Sequence, residues 1–332
     1  MTESRKRIEW IDLAKGFCIL FVVFDHAFNA LGDGDYPLRL QMGAFRMPLY
    51  FILSGLFFKQ YENLWGFLKR KVNKLLIPFL FFLIFTSILP FYIAHHYVQW
   101  KMLIFRGIIV YNNPIWFLLC LFIDNVLFYL VQMFSEWLSP KYKTALVLII
   151  SVCLGYVGMW LGISGIKLLL YVDSALSALP FFAFGWWLFR HSSFLSSPFR
   201  LNRDLPVIII AALFVGLFSV PVTWVKNSFG YNALLAVYPC GIIGTMLILL
   251  VSKGLKRLPL VSLWGRYSII ILCTHYLFVM SFIKFFSSHG LFSRMVQSFV
   301  TFSLTVLICH FLIPFARRYL PHVTAQKDVI KV

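Results

Sequence analysis

The side chains of this chain that are best suited to chemistry lie on its first apolar segment, WIDLAKGFCILFVVFDHAFN. Lys15 and His26 are eleven residues apart. Eleven steps of 100° end about 20° beyond three full turns, so both side chains leave one face of a helix. The helical rise of ~1.5 Å per residue separates them by roughly 16 Å. Asp12 lies on the same stripe, and Asp25 lies about 100° around the helix from His26.

Ionisable groups inside a membrane helix cost roughly 3 kcal/mol or more each near the bilayer centre, and they normally face a bundle interior or a wet cavity. An imidazole has an ordinary pKa of about 6.5 and can act at neutral pH as a general base or as a nucleophile. His26 is therefore the candidate catalytic residue, with both roles open. Lys15 is a candidate substrate contact, and an Asp12–Lys15 pair at i, i+3 is the structural alternative.

The composition predicts an all-α integral membrane protein. The chain is 61% hydrophobic and 13% charged, with a mean hydropathy of +0.84, whereas soluble domains are roughly a quarter charged. The net charge of +18 comes from basic residues in short loops beside apolar segments. Such residues set orientation and contact anionic lipid, so membrane lipids, and not nucleic acid, are the expected partners. No cleavable signal peptide is expected, because the first segment is long and charged.

Ten apolar segments are long enough to predict a bundle of about ten transmembrane helices. They are roughly 9–31, 44–60, 75–95, 114–134, 144–163, 171–190, 205–223, 232–252, 266–286 and 295–315. No long polar stretch divides the chain, so residues 1–332 are predicted to form a single transmembrane domain. Of the 30 Lys and Arg residues, 21 lie on the side of the N-terminus and 8 on the other. The positive-inside rule makes the first side cytoplasmic, and an even span count places both termini there.

A strongly basic run, FLKRKVNKLLIP at residues 67–78, enters the third segment from the cytoplasmic side. It either anchors that helix on anionic lipid or clamps a phosphate. Its basic residues are Lys69, Arg70, Lys71 and Lys74.

Several other polar or aromatic residues within the apolar segments have both a structural and a functional interpretation. Ser54-Gly55 either permits close helix packing or lines a site. Trp116 is either an interfacial aromatic residue or part of a substrate pocket, and Asn113 precedes it at a helix start. His275 is either a satisfied buried histidine or a site residue. The six cysteines have no spacing that predicts a disulfide framework or a metal site.

Five segments together resemble the membrane-bound acyltransferase-3 family. Lys15-x10-His26 is similar to the basic-x10-His motif on that family's first helix. The other four segments are YFILSG (50–55), FLKRKVNKLLIP (67–78), PIWFLLCLF (114–122) and WGRYSIIILCTHYLF (264–278). They occur in the family's order. Lys15 stands where the family usually has arginine, and lysine keeps the charge without the bidentate fork.

The resemblance implies transfer of an acyl group, usually acetyl, from coenzyme A to a hydroxyl of a surface or lipid-linked glycan. Acetyl-CoA would then be the donor substrate, with no permanently bound cofactor and no metal, in a bacterial inner (cytoplasmic) membrane. His26 would be catalytic. The donor-binding candidates are Lys15, Lys69, Arg70 and Lys74. The candidates around the substrate are Asp12, Asp25, Ser54, Asn113, Trp116 and His275. A multi-span transporter or flippase of lipid-linked glycan is the alternative, because intramembrane charges also suit that class.

Overall fold

The computed structural model describes residues 8–29, 38–60, 63–88, 113–289 and 293–331, and these residues form a bundle of helices. Ten helices in the described ranges have 18 residues or more. They are α1 (Glu9–Asn29), α2 (Arg39–Leu56), α3 (Leu64–Ile88), α4 (Trp116–Leu138), α5 (Lys143–Ile163), α6 (Val172–His191), α7 (Leu201–Phe218), α8 (Ala233–Leu255), α10 (Ser268–His289) and α11 (Arg294–Tyr319). The short helix α9 (Pro259–Arg266) precedes α10. An antiparallel hairpin of β1 (Val222–Thr223) and β2 (Ser228–Phe229) lies between α7 and α8.

The all-α membrane fold is confirmed. Eight of the ten long helices in the described ranges are apolar enough to cross a membrane. The other two, α1 and α2, carry the charges that lower their hydropathy. Exposed apolar side chains such as Leu217, Leu235 and Phe311 cover the outer helices, as lipid-facing surfaces require.

The third helix begins earlier than its apolar segment predicts. The predicted start was residue 75, but α3 begins at Leu64, where the Asn63 side chain accepts a hydrogen bond of 2.6 Å from the Gly66 amide. The basic run is therefore helical. Its charged residues lower the local mean hydropathy, so hydropathy alone predicts too late a start for the helix. Two wide π-helical turns interrupt α3, and the first covers Val72–Leu76. Residues 89–95 of the predicted segment lie outside the described residues.

The second helix is displaced towards the N-terminus relative to its predicted range of 44–60. It runs from Arg39 to Leu56, so that Arg46 lies within the helix and not at its start. Arginine lowers the mean hydropathy of a segment, so hydropathy alone does not predict a transmembrane helix with Arg46 in its interior. The bundle accommodates this one because Arg46 pairs with Asp25 on α1.

Glycines bring the backbones of two helix pairs into direct contact. A Cβ added at Gly265 on α9 would lie 1.8 Å from the Asp12 carbonyl oxygen on α1. A Cβ added at Gly55 on α2 would lie 1.9 Å from the Phe182 carbonyl oxygen, and one at Gly185 on α6 would lie 1.9 Å from the Ile52 carbonyl oxygen. Gly55 therefore has the packing role that a small residue permits in a membrane bundle.

Gly55→Ala is expected to destabilise the bundle, because the added methyl group meets backbone and not a side chain that can rotate. Overpacking of this kind costs at least about 1–3 kcal/mol. Thermal aggregation of the detergent-solubilised protein, followed by size-exclusion chromatography, measures the loss. Gly216→Ala on α7 is the matched control, since nothing lies within 4 Å of a Cβ there. Equal melting of the two variants would contradict the packing role.

The two ends of the described chain lie on one side of the bundle. Lys15, near the start of α1, and Asp328, near the end of the chain, line the same cavity. Glu9 also lies 3.5 Å from Arg257, which precedes α9. This arrangement fits an even number of spans, and the assignment of that side to the cytoplasm remains the prediction from charge.

Candidate active site

Two histidines from helices at opposite ends of the sequence meet inside the bundle. The distance from His26 Nδ1 on α1 to His275 Nε2 on α10 is 3.0 Å. His275 is fully buried, and its Nδ1 lies 2.8 Å from the Ile271 carbonyl oxygen, one helical turn earlier. His275 is therefore in direct contact with His26, the candidate catalytic residue.

This chain of contacts fixes the tautomers of two neutral rings. A carbonyl oxygen only accepts, so the Ile271 carbonyl requires a proton on His275 Nδ1. His275 Nε2 is then an acceptor, and His26 Nδ1 donates to it. The lone pair of His26 is left on Nε2, the nitrogen that a general base or a nucleophile uses. His275 thus orients the ring of His26 in the way that a partner behind a functional histidine does.

Beside His26, an ion pair joins the first two helices. Arg46 Nη2 on α2 lies 2.7 Å from the Asp25 carboxylate, whose side chain is 4% exposed. The Cys18 thiol donates to the Arg46 carbonyl oxygen at 2.7 Å. Removing one partner of a buried pair commonly costs about 3–5 kcal/mol, because the other charge stays uncompensated. Asp25 therefore holds α2 against α1 beside the catalytic candidate.

An outer cavity of about 610 Å³ opens at the C-terminal end of α1. His26, Asp25 and Arg46 line it, together with Arg39. Trp116 on α4 and Trp224 of the hairpin loop supply aromatic walls. Aromatic walls with a few convergent polar groups are typical of a site for a small polar molecule.

The hairpin that covers this cavity is anchored by Asn227. Its side-chain amide donates to the Gly158 carbonyl oxygen at 2.9 Å, and its amide oxygen accepts from the Ser177 hydroxyl at 2.9 Å. Lys167 donates to the Asn227 carbonyl oxygen at 3.1 Å. These bonds hold Trp224 in place over the outer cavity.

An inner cavity of about 500 Å³ lies at the opposite end of α1 and is strongly basic. Lys15 lines it, together with Arg70, Lys71 and Lys74 of α3. Tyr50, Ser54 and Asn125 add hydroxyl and amide groups. The Lys15 ammonium group lies 5.7 Å from the centre of the Phe57 ring, and the Tyr50 hydroxyl donates to the Lys15 carbonyl oxygen at 3.3 Å. Several cations around one opening concentrate anionic ligands.

Phe117 and Leu272 separate the two cavities, and both side chains line each of them. The ring of Phe117 packs at 5.3 Å and 70° against that of Phe51, and at 5.5 Å against that of Tyr50. His26 lines only the outer cavity, and Lys15 lines only the inner one. The two cavities therefore adjoin at Phe117 and Leu272.

The structure assigns the remaining candidates to different places. Ser54 lines the inner cavity, and Trp116 lines the outer one. Asp12 is buried where α1 meets α9 and lines neither cavity, and Lys69 lines neither. The Asn113 side chain lies outside the described part of the structure.

Four residues that line the two cavities were not predicted from the sequence as site residues: Arg46, Tyr50, Asn125 and Asp328. Arg46 was counted only as a charge that orients the protein. The available signal was the acidic Asp25 on the neighbouring helix, because a buried carboxylate needs a partner. Asp328 gave no local signal, since its position depends on a contact with α3 that no spacing in the sequence reports.

No group of three or more His, Cys, Asp or Glu side chains in the described ranges has an arrangement that can hold a metal ion. The six cysteines are free thiols, and Cys153 is exposed.

The fold and these cavities define a multi-pass membrane protein with a histidine site beside its outer cavity and a basic cavity next to it. A family model described as an acyltransferase domain, acyltransferase 3, matches residues 8–313. The chain belongs to this family and is a membrane acyltransferase. Comparisons with curated proteins and with solved structures gave no match.

Proposed function

We propose that this protein transfers an acyl group, in particular acetyl, from acyl-CoA in the inner cavity to a hydroxyl of a glycan or lipid-linked sugar in the outer cavity. The observation that supports this assignment most is the sharp division of the site. A basic cavity and an aromatic cavity adjoin at Phe117 and Leu272, with His26 on the aromatic side. The excess of basic residues on that side supports a cytoplasmic position for the inner cavity, and a bacterial inner membrane is the location that the family resemblance implies.

The donor end of the reaction is assigned by charge. Coenzyme A carries phosphates, and Lys15, Arg70, Lys71 and Lys74 supply cations for them. The rise along α1 between Lys15 and His26 is roughly 16 Å. An extended pantetheine arm would lie along this path and present its thioester at His26, between Phe117 and Leu272.

The acceptor end is assigned by shape. Trp116 and Trp224 offer apolar ring faces to a sugar, while Asp25, Arg39 and Arg46 supply hydrogen-bonding groups. An acceptor hydroxyl that approaches His26 Nε2 can then be deprotonated as its oxygen attacks the thioester carbonyl. The C–S bond breaks, and the proton passes from the imidazolium to the leaving thiolate of coenzyme A.

A covalent route uses the same geometry. His26 Nε2 attacks the thioester carbonyl first, the C–S bond breaks, and the coenzyme A thiolate leaves an acyl-imidazolium that keeps its Nδ1 proton. The sugar hydroxyl oxygen then attacks the acyl carbon, the C–N bond breaks to restore neutral His26, and the hydroxyl proton passes to the coenzyme A thiolate. In both routes His275 supports the protonated Nδ1 of His26. No metal or resident cofactor has a part in either route.

A transporter or flippase of lipid-linked glycan is the second candidate, and the cavities at opposite ends of α1 favour it. Such a protein moves its substrate past Phe117 without consuming a thioester. Release of the coenzyme A thiol from acetyl-CoA by the purified protein therefore separates the two functions.

Lys15→Ala is expected to weaken acetyl-CoA binding roughly tenfold, because a contact to a charged group contributes about 1.5–3 kcal/mol, part of which the neighbouring cations replace. Titration calorimetry on the detergent-solubilised protein measures the dissociation constant. Lys69→Ala is the matched control, since it removes a neighbouring positive charge that does not line the cavity. Equal loss of affinity in the two variants would mean that only the overall positive charge of this surface affects acetyl-CoA binding, and that Lys15 makes no specific contact.

A further inference from the structure

The last described residues of the chain fold back onto the mouth of the inner cavity. Asp328 lies 2.9 Å from the Lys74 ammonium group, and both side chains are nearly half exposed. Lys74 also donates to the Ala325 carbonyl oxygen at 3.1 Å. Asp328 is itself among the residues that line the cavity. One of the cations assigned to the donor is therefore already paired with a carboxylate from the tail of the chain.

The segment 320–331, hereafter the C-terminal strap, is held by a single buried side chain of α3. The amide nitrogen of Asn73 donates to the Ile330 carbonyl oxygen at 2.8 Å. Its amide oxygen accepts from the backbone N–H groups of Val329 and Ile330, both at 2.9 Å. Asn73 is 1% exposed and lies in the π-helical turn of α3. This position next to Lys74 fixes Asp328 over the cavity mouth.

The two contacts differ in strength. The Asn73 side chain can form four hydrogen bonds, and it forms three of them with the backbone of the strap. These bonds are buried, and buried backbone groups need hydrogen-bond partners. The Lys74–Asp328 pair is exposed to solvent, and such pairs contribute little. The end of the strap at Val329 and Ile330 is thus firmly placed by Asn73. The stretch from Ala325 to Asp328 is held by Lys74 and can be released when a better anion takes that ammonium group.

We propose that Asp328 of the C-terminal strap competes with the phosphates of the donor for Lys74, and so sets the affinity and the selectivity of the inner cavity. This inference rests on the proposed function. A simple anion gains little by replacing a carboxylate that is already in place. A donor with several phosphate charges that also contacts Lys15 and Arg70 gains more, so the strap favours coenzyme A over small anions.

Asp328→Asn is expected to tighten the binding of coenzyme A about three- to fivefold. The substitution removes the carboxylate that competes for Lys74, and the effect is small because this ion pair is exposed to solvent. The same substitution is expected to tighten the binding of inorganic phosphate by a larger factor, so that discrimination in favour of coenzyme A falls. Lys327→Gln on the same strap is the control, because it changes the charge of the strap by one unit in the opposite direction and leaves the carboxylate at Lys74, so it is not expected to tighten the binding of coenzyme A. Titration calorimetry with coenzyme A and with inorganic phosphate measures both ligands.

A thiol reporter tests displacement of the strap itself. Thr324 is 1% exposed, so a cysteine at this position reacts with maleimide only when this part of the strap opens. The variant is Thr324→Cys, made in a Cys153→Ser background because Cys153 is exposed and would also react. Coenzyme A is expected to accelerate labelling, and Asn73→Ala is expected to do so without ligand. Coenzyme A binding with unchanged labelling, together with an Asp328→Asn variant that binds no more tightly than the parent, would overturn the inference. Absence of coenzyme A binding to the folded parent protein would instead overturn the proposed function.

Discussion

His26→Ala is expected to abolish acyl transfer while the protein still inserts and accumulates at the normal level. A general base contributes about 10²–10⁴-fold to a rate, and a nucleophile contributes the whole covalent route. His26 lines the outer cavity, and its Nε2 carries the lone pair once Nδ1 donates to His275. Coenzyme A thiol release with a sugar acceptor present measures the loss in kcat.

The control for this variant is another histidine that lies away from the cavities. His191 is exposed at the end of α6, and its Nδ1 is 3.2 Å from the Trp187 carbonyl oxygen. His191→Ala is expected to retain full activity. Activity retained by His26→Ala, in a protein that elutes as a single species, would remove His26 from the mechanism.

The two roles of His26 are separated by incubating the protein with radiolabelled acetyl-CoA in the absence of an acceptor. A nucleophilic histidine releases one coenzyme A per protein in a burst and retains the label on the denatured chain. A general base gives neither a burst of coenzyme A nor a label on the denatured chain, because it acts only when a hydroxyl or water attacks the thioester.

His275→Ala is expected to lower kcat about 10- to 100-fold with little change in KM for acetyl-CoA, which is the size of effect that partners behind a functional histidine commonly have. Without His275 Nε2 the Nδ1 proton of His26 loses its acceptor, and the ring is no longer held in one tautomer. His275 is a positioning residue in this account, since it lines neither cavity.

A purely structural role for His275 is distinguished by rescue and by pH dependence. His275→Gln supplies an amide oxygen that can accept from His26 and is expected to recover part of kcat. His275→Leu fills similar space without an acceptor and is expected to behave like His275→Ala. Equal kcat, KM and pH profiles for the glutamine and leucine variants would show that only packing is lost.

Much of the fold follows from hydropathy alone. The ten predicted segments correspond to the ten long helices of the described ranges, because apolar length is a local property of the sequence. The errors fall where charge enters a helix. Arg46 within α2 and the basic first turns of α3 lower the local hydropathy, and the bundle tolerates them through contacts with distant partners.

Only the part of the candidate site that lies on a single helix could be predicted from the sequence. The spacing of Lys15 and His26 on α1 was sufficient to select both residues. The pairs His26–His275, Asp25–Arg46 and Lys74–Asp328 join distant parts of the chain, and they depend on how the helices pack. The separation of Lys15 and His26 into different cavities has the same origin, since Phe117 and Leu272 come from α4 and α10.

The central claim is that acyl-CoA in the basic inner cavity reacts at His26, and coenzyme A thiol release by the protein reconstituted in nanodiscs tests it most directly. Acetyl-CoA is supplied to the wild-type protein, His26→Ala and Lys15→Ala, with and without a sugar acceptor. The account predicts release by the wild type, normal binding without turnover in His26→Ala, and turnover at raised KM in Lys15→Ala. A folded wild-type protein that neither binds nor consumes acetyl-CoA would contradict the account and make the charged face of α1 a translocation path.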